Sequence, residues 1–428
     1  MKLAVIGLGK LGAPISACLA YKGFEVIGLD VDKEKVEKIN KREPPVNELG
    51  LKELLQKCKK LRATVDYEEA VKNSEIALII VPTPTDETGG FSLKFVKESL
   101  KEIAKYMKEG YIVDIVSTIL PGSMDGEIKP LLEDLTGKRC GKDFGLCYNP
   151  EFVALGNVIK GFLNPDFVLI GESDRNSGEK VASIYKKACE NNPPIKRMNF
   201  INAEITKLAL NTYVTTKISY ANMLARICEK IKDADVDVIT DALSCDSRIG
   251  GKYLKGAIGY GGPCFPRDNV ALMTFAKKIG ADADIAEATH KFNKKEPQRL
   301  LNLIKSILED KKKKIGILGL SYKPDTDVIE ESISIHLIDL LLKEEMEAIV
   351  YDPMAIEVTK KIFGEKIEYG KSKEEVIEKA DVILIMTPWE EFKNLNINKK
   401  LILIDCWRIY KGEKNKIEYI ALGRGKLI

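Results

Sequence analysis

Short unbroken apolar runs, separated by longer amphipathic stretches, recur at both ends of the chain. Residues 3–6 make one such run, a helical pattern follows over 13–21, and a second run covers 24–29. Two more lie at 76–81 and 111–116. The last third repeats the arrangement with runs at 314–320, 348–351, 382–386 and 401–404. Strands that are apolar throughout, rather than alternating, belong to parallel sheets covered on both faces. Each end therefore predicts a doubly wound domain. The middle differs. Over 202–230, Ile205, Leu208, Ala209, Thr212, Tyr213, Thr216 and Ile218 recur at helical spacing with no glycine or proline. This predicts a helix longer than average, suited to connecting domains and to dimerisation. The fold class expected is α/β: two doubly wound Rossmann-like domains joined by a long central helix and a helical middle domain.

The strand ends carry the first chemistry. Gly7, Gly9 and Gly12 follow the first run in G-x-G-x-x-G spacing and open onto the helical pattern. Such glycines permit a tight turn and close approach of a pyrophosphate to a helix N-terminus. Asp30 ends the next run, where a carboxylate binds ribose hydroxyls and repels a 2′-phosphate. The cofactor predicted is NAD rather than NADP. The runs at 76–81 and 111–116 lead into Pro82-Thr83-Pro84-Thr85 and Ser117-Thr118, at the strand ends where open α/β sheets bind ligands. Helix capping is the plainer reading of Thr83 and Thr118. The first turn of the C-terminal domain has only Gly316 and Gly319, so a different nucleotide is expected there. The preceding Lys311-Lys312-Lys313-Lys314 reads as a solvated linker.

Composition narrows the partners. At 428 residues, three domains are expected at about 150 residues each. A net charge of +3 gives no reason to invoke nucleic acid or an anionic membrane. No apolar run reaches the ~20 residues that span a bilayer. Nine cysteines without a CxxC pair, and no signal peptide, point to a reducing, cytoplasmic setting. His290 and His336 are isolated from cysteines and carboxylates, which argues against a zinc site and a Ser-His-Asp triad; no metal is expected.

One stretch stands out: Gly259-Tyr260-Gly261-Gly262-Pro263-Cys264-Phe265-Pro266-Arg267-Asp268. Its glycines and prolines present a thiol on a constrained loop, beside a cation that favours the thiolate and a carboxylate. This suits covalent catalysis; a tight structural turn is the plainer reading. Lys207 and Asn211, four apart, share one face of the predicted helix, where a solvated pair would be equally ordinary.

With these pieces placed, the chain resembles the UDP-glucose/GDP-mannose dehydrogenase family nearly end to end. The resemblance is carried by the opening fingerprint, Val81-Pro82-Thr83-Pro84, Ser117-Thr118 with Pro121-Gly122, and Asn149-Pro150-Glu151-Phe152. It continues through Ala203-Glu204 with Lys207 and Asn211, Arg248-Ile249-Gly250, the cysteine loop, Tyr322-Lys323-Pro324-Asp325-Thr326, and Asp405 with Arg408. It implies an NAD-dependent four-electron oxidation of the C6 alcohol of a nucleotide-bound hexose, through a cysteine thiohemiacetal and thioester, in a homodimer. UDP-glucose is the simplest substrate. UDP-N-acetylmannosamine, UDP-N-acetylglucosamine and GDP-mannose are alternatives. A non-catalytic NAD or nucleotide-sugar sensor and a two-electron alcohol dehydrogenase are the competing classes.

By the same resemblance, Cys264 is the nucleophile and Lys207 and Asn211 stabilise oxygen charge at the reacting carbon. Asp268, with Lys207 and Thr118, holds a water, and Glu151 is the base for thioester hydrolysis. NAD falls to Gly7, Gly9, Lys10, Leu11, Gly12, Asp30 and Lys35, with Val81, Pro82, Thr83, Ser117, Thr118 and Arg267. Phe152, Lys207, Asn211, Tyr253, Lys255, Tyr260, Gly261, Tyr322 and Lys323 serve the nucleotide sugar. Arg248 reaches a neighbouring subunit's site, and Arg408 reads sugar hydroxyls. The domains implied are 1–198 for NAD, 199–298 for the helical dimerisation part and 299–428 for the nucleotide sugar. Several positions depart from the pattern: Leu155 stands where members often carry an acid, Glu330 where an arginine that reaches NAD is usual, and Pro263, Arg267 and Met223 where Ser, Lys and Glu are common.

Overall fold

The computed structural model describes residues 1–308 and 313–425. Lys311 and Lys312 of the basic run lie outside the described residues. The chain falls into two compact units, Met1–Ala209 and Leu210–Ile428.

The first unit is built on eight strands: β1 (Lys2–Ile6), β2 (Glu25–Leu29), β3 (Leu61–Thr64), β4 (Ile76–Ile79), β5 (Ile112–Ile115), β6 (Gly145–Tyr148), β7 (Val168–Glu172) and β8 (Ile195–Met198). Their order is β3-β2-β1-β4-β5-β6-β7-β8, and only the β6–β7 pairing is antiparallel. The continuous apolar runs have the cause expected. Leu3 and Val5 enter one core with the helix Gly12–Tyr21, while Ala4 and Ile6 enter a second core on the other face. β1, β2, β4 and β5 fall on the predicted runs. β3, β6, β7 and β8 lie outside the predicted runs; of these β3 and β8 are the two sheet edges and keep exposed positions, Arg62 and Lys196 among them, whereas β6 and β7 are buried strands too short to stand out as runs.

The second unit holds β9 (Ile315–Leu318), β10 (Ala348–Tyr351), β11 (Glu368–Tyr369), β12 (Val382–Ile385), β13 (Leu401–Asp405) and β14 (Ile417–Ala421). All pair in parallel in the order β11-β10-β9-β12-β13-β14. Counted from each sheet's first strand, this is the order of β1 to β6. Helices Val236–Ser244, Phe265–Lys278, Asp284–Lys294 and Glu296–Ile307 precede this sheet in the chain.

The predicted long helix is Phe200–Cys228, and the division between the units falls within it. It buries polar groups alongside apolar ones such as Phe200, Ala203, Leu208, Ala221 and Ala225. Glu204, Lys207, Asn211, Thr212, Thr215, Ser219 and Asn222 are buried, whereas Ile205, Tyr213, Tyr220, Met223 and Ile227 are exposed. Helices normally bury their apolar stripe. One that buries polar groups has work for them inside.

Candidate active site

In the first unit the glycine turn is shaped by contacts that forbid a side chain. Gly7 has φ +98°, and a Cβ there would meet the Ile80 carbonyl oxygen at 2.6 Å. A Cβ on Gly12 would meet the Gly7 carbonyl oxygen at 1.8 Å. Gly9 differs: nothing of the protein lies within 4 Å of its absent Cβ. The turn is thus closed by two glycines and left open at the third, which fits a pyrophosphate approaching the backbone. Asp30, at the end of β2, accepts from the Leu8 N–H at 2.7 Å and the Asp32 N–H at 3.0 Å, and Lys35 Nζ lies 3.5 Å away. Lys10 is exposed and Leu11 half-buried at the head of the helix Gly12–Tyr21.

The loops after β4 and β5 are tied together. Ser117 Oγ donates to the Val81 carbonyl at 2.6 Å, and Thr83 Oγ1 donates to the Thr118 carbonyl at 2.7 Å. Pro82 is exposed between them. Thr83 therefore bridges two loops rather than capping a helix.

Glu151 follows β6 through Asn149, whose amide is anchored on the Leu169 carbonyl at 2.7 Å. Its Oε1 accepts from the Tyr185 hydroxyl at 2.8 Å, and its backbone carbonyl accepts from Lys207 Nζ at 2.6 Å. The Lys207 ammonium also lies 4.6 Å from the Phe152 ring centroid. Burial pushes the Glu151 carboxyl up to about 7, against the Tyr185 hydrogen bond and the Lys207 charge, which pull it down. Leu155 packs against the apolar core, as does Val153.

In the second unit the cysteine loop is clamped from several sides. Gly262, at φ +85°, donates its N–H to the Glu330 carbonyl at 2.8 Å, and a Cβ on it would meet the Tyr322 ring at 2.7 Å. A Cβ on Gly261 would meet the Glu331 carbonyl oxygen at 2.5 Å. The Asn293 side-chain amide pairs with both the N–H and the carbonyl of Tyr260, at 2.8 and 2.9 Å. Cys264 emerges exposed from this clamp at the N-cap of the helix Phe265–Lys278, with Pro266 in the first turn. Free N–H groups at a helix head favour negative charge, which suits a sulfur nucleophile.

One turn further on, Asp268 is buried and accepts from the Asn211 side-chain amide at 2.6 Å. Arg267 Nε lies 3.9 Å from Asp268 Oδ1. Tyr253, at φ +63°, and Tyr260 both meet the Phe265 ring edge-on, with centroids 6.2 and 6.3 Å away. Burial, and then the charge of Cys264, push the Tyr322 hydroxyl up, so it stays protonated. Lys323 lies 5.9 Å from that ring's centroid, and Lys255 is exposed.

Two arginines are placed less simply. Arg248 is exposed and pairs with Asp246 at 2.6 Å. The Arg408 side chain is fully buried, bidentate on Asp237 at 2.7 and 2.8 Å, and also bound to the Leu422 and Gly256 carbonyls. Of a guanidinium's five N–H groups, four are engaged, so a sugar hydroxyl would meet one N–H rather than an open fork.

Sequence reasoning assigned no role to Tyr185, Glu204 or Asn293. Tyr185 and Asn293 sit in helices and read there as ordinary helical positions. Asp114, mid-strand on β5, was also missed. It is fully buried, both its oxygens lack a hydrogen-bond partner, and burial, with the Glu151 charge, pushes its carboxyl well above the usual range.

Comparison with known proteins identifies the class. Models of the UDP-glucose/GDP-mannose dehydrogenase family match the NAD binding domain over residues 1–189, the central domain over 201–295 and the UDP binding domain over 316–412. The chain belongs to this family. It is an NAD-dependent nucleotide-sugar 6-dehydrogenase. Among curated relatives it is 34% identical to a UDP-glucose 6-dehydrogenase of Haloferax volcanii, over 96% of this chain and 97% of the relative. It is 30% identical to a GDP-mannose 6-dehydrogenase of Pseudomonas syringae, over 92% and 93%. A solved UDP-glucose dehydrogenase of Pyrobaculum islandicum superposes with a TM-score of 0.92 at 27% identity, covering 99% of this chain and 98% of that one. A UDP-D-ManNAc dehydrogenase of Pyrococcus horikoshii gives 0.87 at 28%, with both chains fully covered. Among the described residues no helix is long and apolar enough to cross a membrane.

Proposed function

We propose that the chain oxidises the C6 alcohol of a UDP-hexose, UDP-glucose being the simplest candidate, to the uronate. The observation that carries this reading is the exposed Cys264 thiol at a helix head, one turn from the buried Asn211–Asp268 pair. NAD, held by the glycine turn and Asp30, would accept a hydride in each of two oxidations. Between them Cys264 adds to the C6 aldehyde as thiolate, the aldehyde oxygen takes a proton, and the hemithioacetal stays bonded to the protein. Loss of the second hydride from C6, and of the hydroxyl proton, leaves a thioester. Glu151 takes a proton from water as the water adds to that carbonyl. The C–S bond then breaks, releasing carboxylate and thiolate. Lys207 and Asn211 donate to the C6 oxygen as charge develops. Asp268, with Lys207 and Thr118, holds the water for proton transfer. A base held near 7 is matched to neutral pH. Phe152, Tyr253, Lys255, Tyr260, Gly261, Tyr322 and Lys323 serve substrate binding, with Lys323 on the diphosphate.

The match to a UDP-D-ManNAc dehydrogenase and the apolar Leu155 favour an acetylated amino sugar as the second reading. Purified protein given UDP-glucose, UDP-N-acetylmannosamine, UDP-N-acetylglucosamine and GDP-mannose should form two NADH per molecule of one preferred sugar. A ratio of one would contradict the thioester route.

The exposed Ile205, Tyr213, Tyr220, Met223 and Ile227 of the long helix support a homodimer on that face, with Arg248 contributed to the partner. Tyr220→Glu should then shift the molecular mass in solution to that of one chain; an unchanged mass contradicts the placement. The division into 1–198, 199–298 and 299–428 is proposed on the same grounds.

A further inference from the structure

Glu204 is buried completely and has no assigned role, yet it sits one turn before Lys207 on the same helix. Its Oε2 accepts from the Gly122 N–H at 2.7 Å and its Oε1 from the Met124 N–H at 2.8 Å. Asp125 is the charged neighbour and is a carboxylate, so the buried group is held by backbone donors rather than by a cation. Burying a carboxyl in this way is expensive, and an apolar residue would fill a helix face at less cost. The bonds it makes explain its presence.

Gly122 and Met124 belong to the turn that leaves β5, and that turn leads into a π-helical segment, Met124–Ile128. Ser123 closes the turn by donating its N–H to the Leu120 carbonyl at 3.1 Å. Immediately before it stand Ser117 and Thr118, themselves tied to Val81 and Thr83. A continuous series of bonds therefore runs from the Lys207 helix, through the Glu204 carboxyl, to the turn, the Thr118 loop and the loop after β4. π-helical turns are uncommon and concentrate at functional sites. This one begins at the residue the carboxyl holds.

We infer that Glu204 is a positioning residue, whose carboxyl fixes the loop bearing Ser117 and Thr118 to the helix bearing Lys207. The inference rests on the reading above for the roles of Thr118 and Lys207. Glutamine is the same size but offers one accepting oxygen, so it keeps one of the two bonds and turns an N–H toward the other amide. Aspartate keeps the charge but is one methylene short.

The experiment compares wild type, Glu204→Gln and Glu204→Asp by steady-state kinetics, thermal melting and amide hydrogen exchange. In both variants exchange at Gly122 and Met124 should rise at least about tenfold while β1 and β4 keep their protection. For both, kcat should fall about 10- to 100-fold, by analogy with the loss when a hydrogen-bond partner that orients a metal ligand is removed. The KM for nucleotide sugar should stay within about twofold. Unchanged kcat, unchanged exchange at the two amides, a loss of protection spread evenly over the first unit, or full rescue by aspartate would each overturn it. If the wild type oxidises no nucleotide sugar, the functional reading fails, yet the exchange measurement still decides whether Glu204 fixes the loop.

Discussion

The two sheets begin alike and end up doing different things. Gly7 closes the turn after β1 at φ +98° and Gly319 the turn after β9 at φ +101°. Asp30 ends β2 and accepts the Leu8 N–H at 2.7 Å; Asp352 follows β10 and accepts the Leu320 N–H at 2.8 Å. After that the copies part. In the first sheet the helix starts at once, at Gly12. In the second it waits until Ile333. The intervening segment supplies Tyr322, Lys323 and the Glu330 carbonyl that anchors the cysteine loop.

The acids differ in the same sense. Asp30 has two backbone donors and Lys35 near it. Asp352 takes six hydrogen bonds, from Leu320 N–H, the Ser321 N–H and hydroxyl, Met354 N–H, Ala355 N–H and Trp389 Nε1. Its carboxylate has become a structural fastening, with little left for a ribose diol. A shared strand order therefore sets where a ligand could lie, and the residues inserted between strand and helix set what the site does.

The largest effect should come from the loop that the second sheet supports. Cys264→Ala is expected to lower NADH formation at least about 1000-fold, since it removes the group that bonds to substrate, with melting unchanged. Near-normal activity would break the contrast between a cofactor turn and a covalent loop. Next, the paired acids should separate cleanly. Asp30→Ala should raise the KM for NAD about 10- to 100-fold and narrow the preference over NADP, with a smaller loss of stability than at Asp352, since two donors rather than six lose their acceptor. Asp352→Ala should do the reverse. It leaves buried donors unpaired and should lose roughly 2–4 kcal/mol in denaturant unfolding, with the KM for NAD within about twofold.

pH gives an effect of intermediate size. With Glu151 near 7, kcat should fall about tenfold per unit below that value, where the base is protonated. The stability sign is opposite. The folded state holds this proton more tightly than the unfolded chain, so the group's contribution is present below about 4.5 and is lost as pH rises through about 7. Glu151→Gln should therefore be the more stable protein at pH 8, by roughly 1–3 kcal/mol, and should lose the acid limb; a limb that persists points to another group. The smallest effect belongs to Gly9→Ala. With no protein atom within 4 Å, stability should change by less than about 0.5 kcal/mol while NAD binding weakens.

Much of this was legible in the residues. The strands that form the middle of each sheet read as apolar runs because both faces are covered, and the glycine fingerprint and Asp30 lie where their spacing puts them. The loop around Cys264 showed itself by its glycines and prolines. The roles of Lys207, Asn211 and Glu151 came only through family resemblance, since nothing in local spacing separates a buried helical lysine from a solvated one. Tyr185 was invisible because its partner lies 34 residues away in sequence and is reached only when the sheet forms. Glu204 was quoted within a motif but given no role, because its bonds go to backbone N–H groups, which leave no mark on a sequence. Arg408 came to sugar recognition by resemblance alone, and the fold commits most of its donors to Asp237 and two carbonyls, which no local pattern foretells.

The most direct test is mass spectrometry of Cys264 during turnover, in Glu151→Gln, where thioester hydrolysis should be slow. A sugar acyl group is expected on the peptide carrying Cys264, released by hydroxylamine and absent without NAD. A protein that turns over substrate while that cysteine never carries the acyl group would contradict the thioester route.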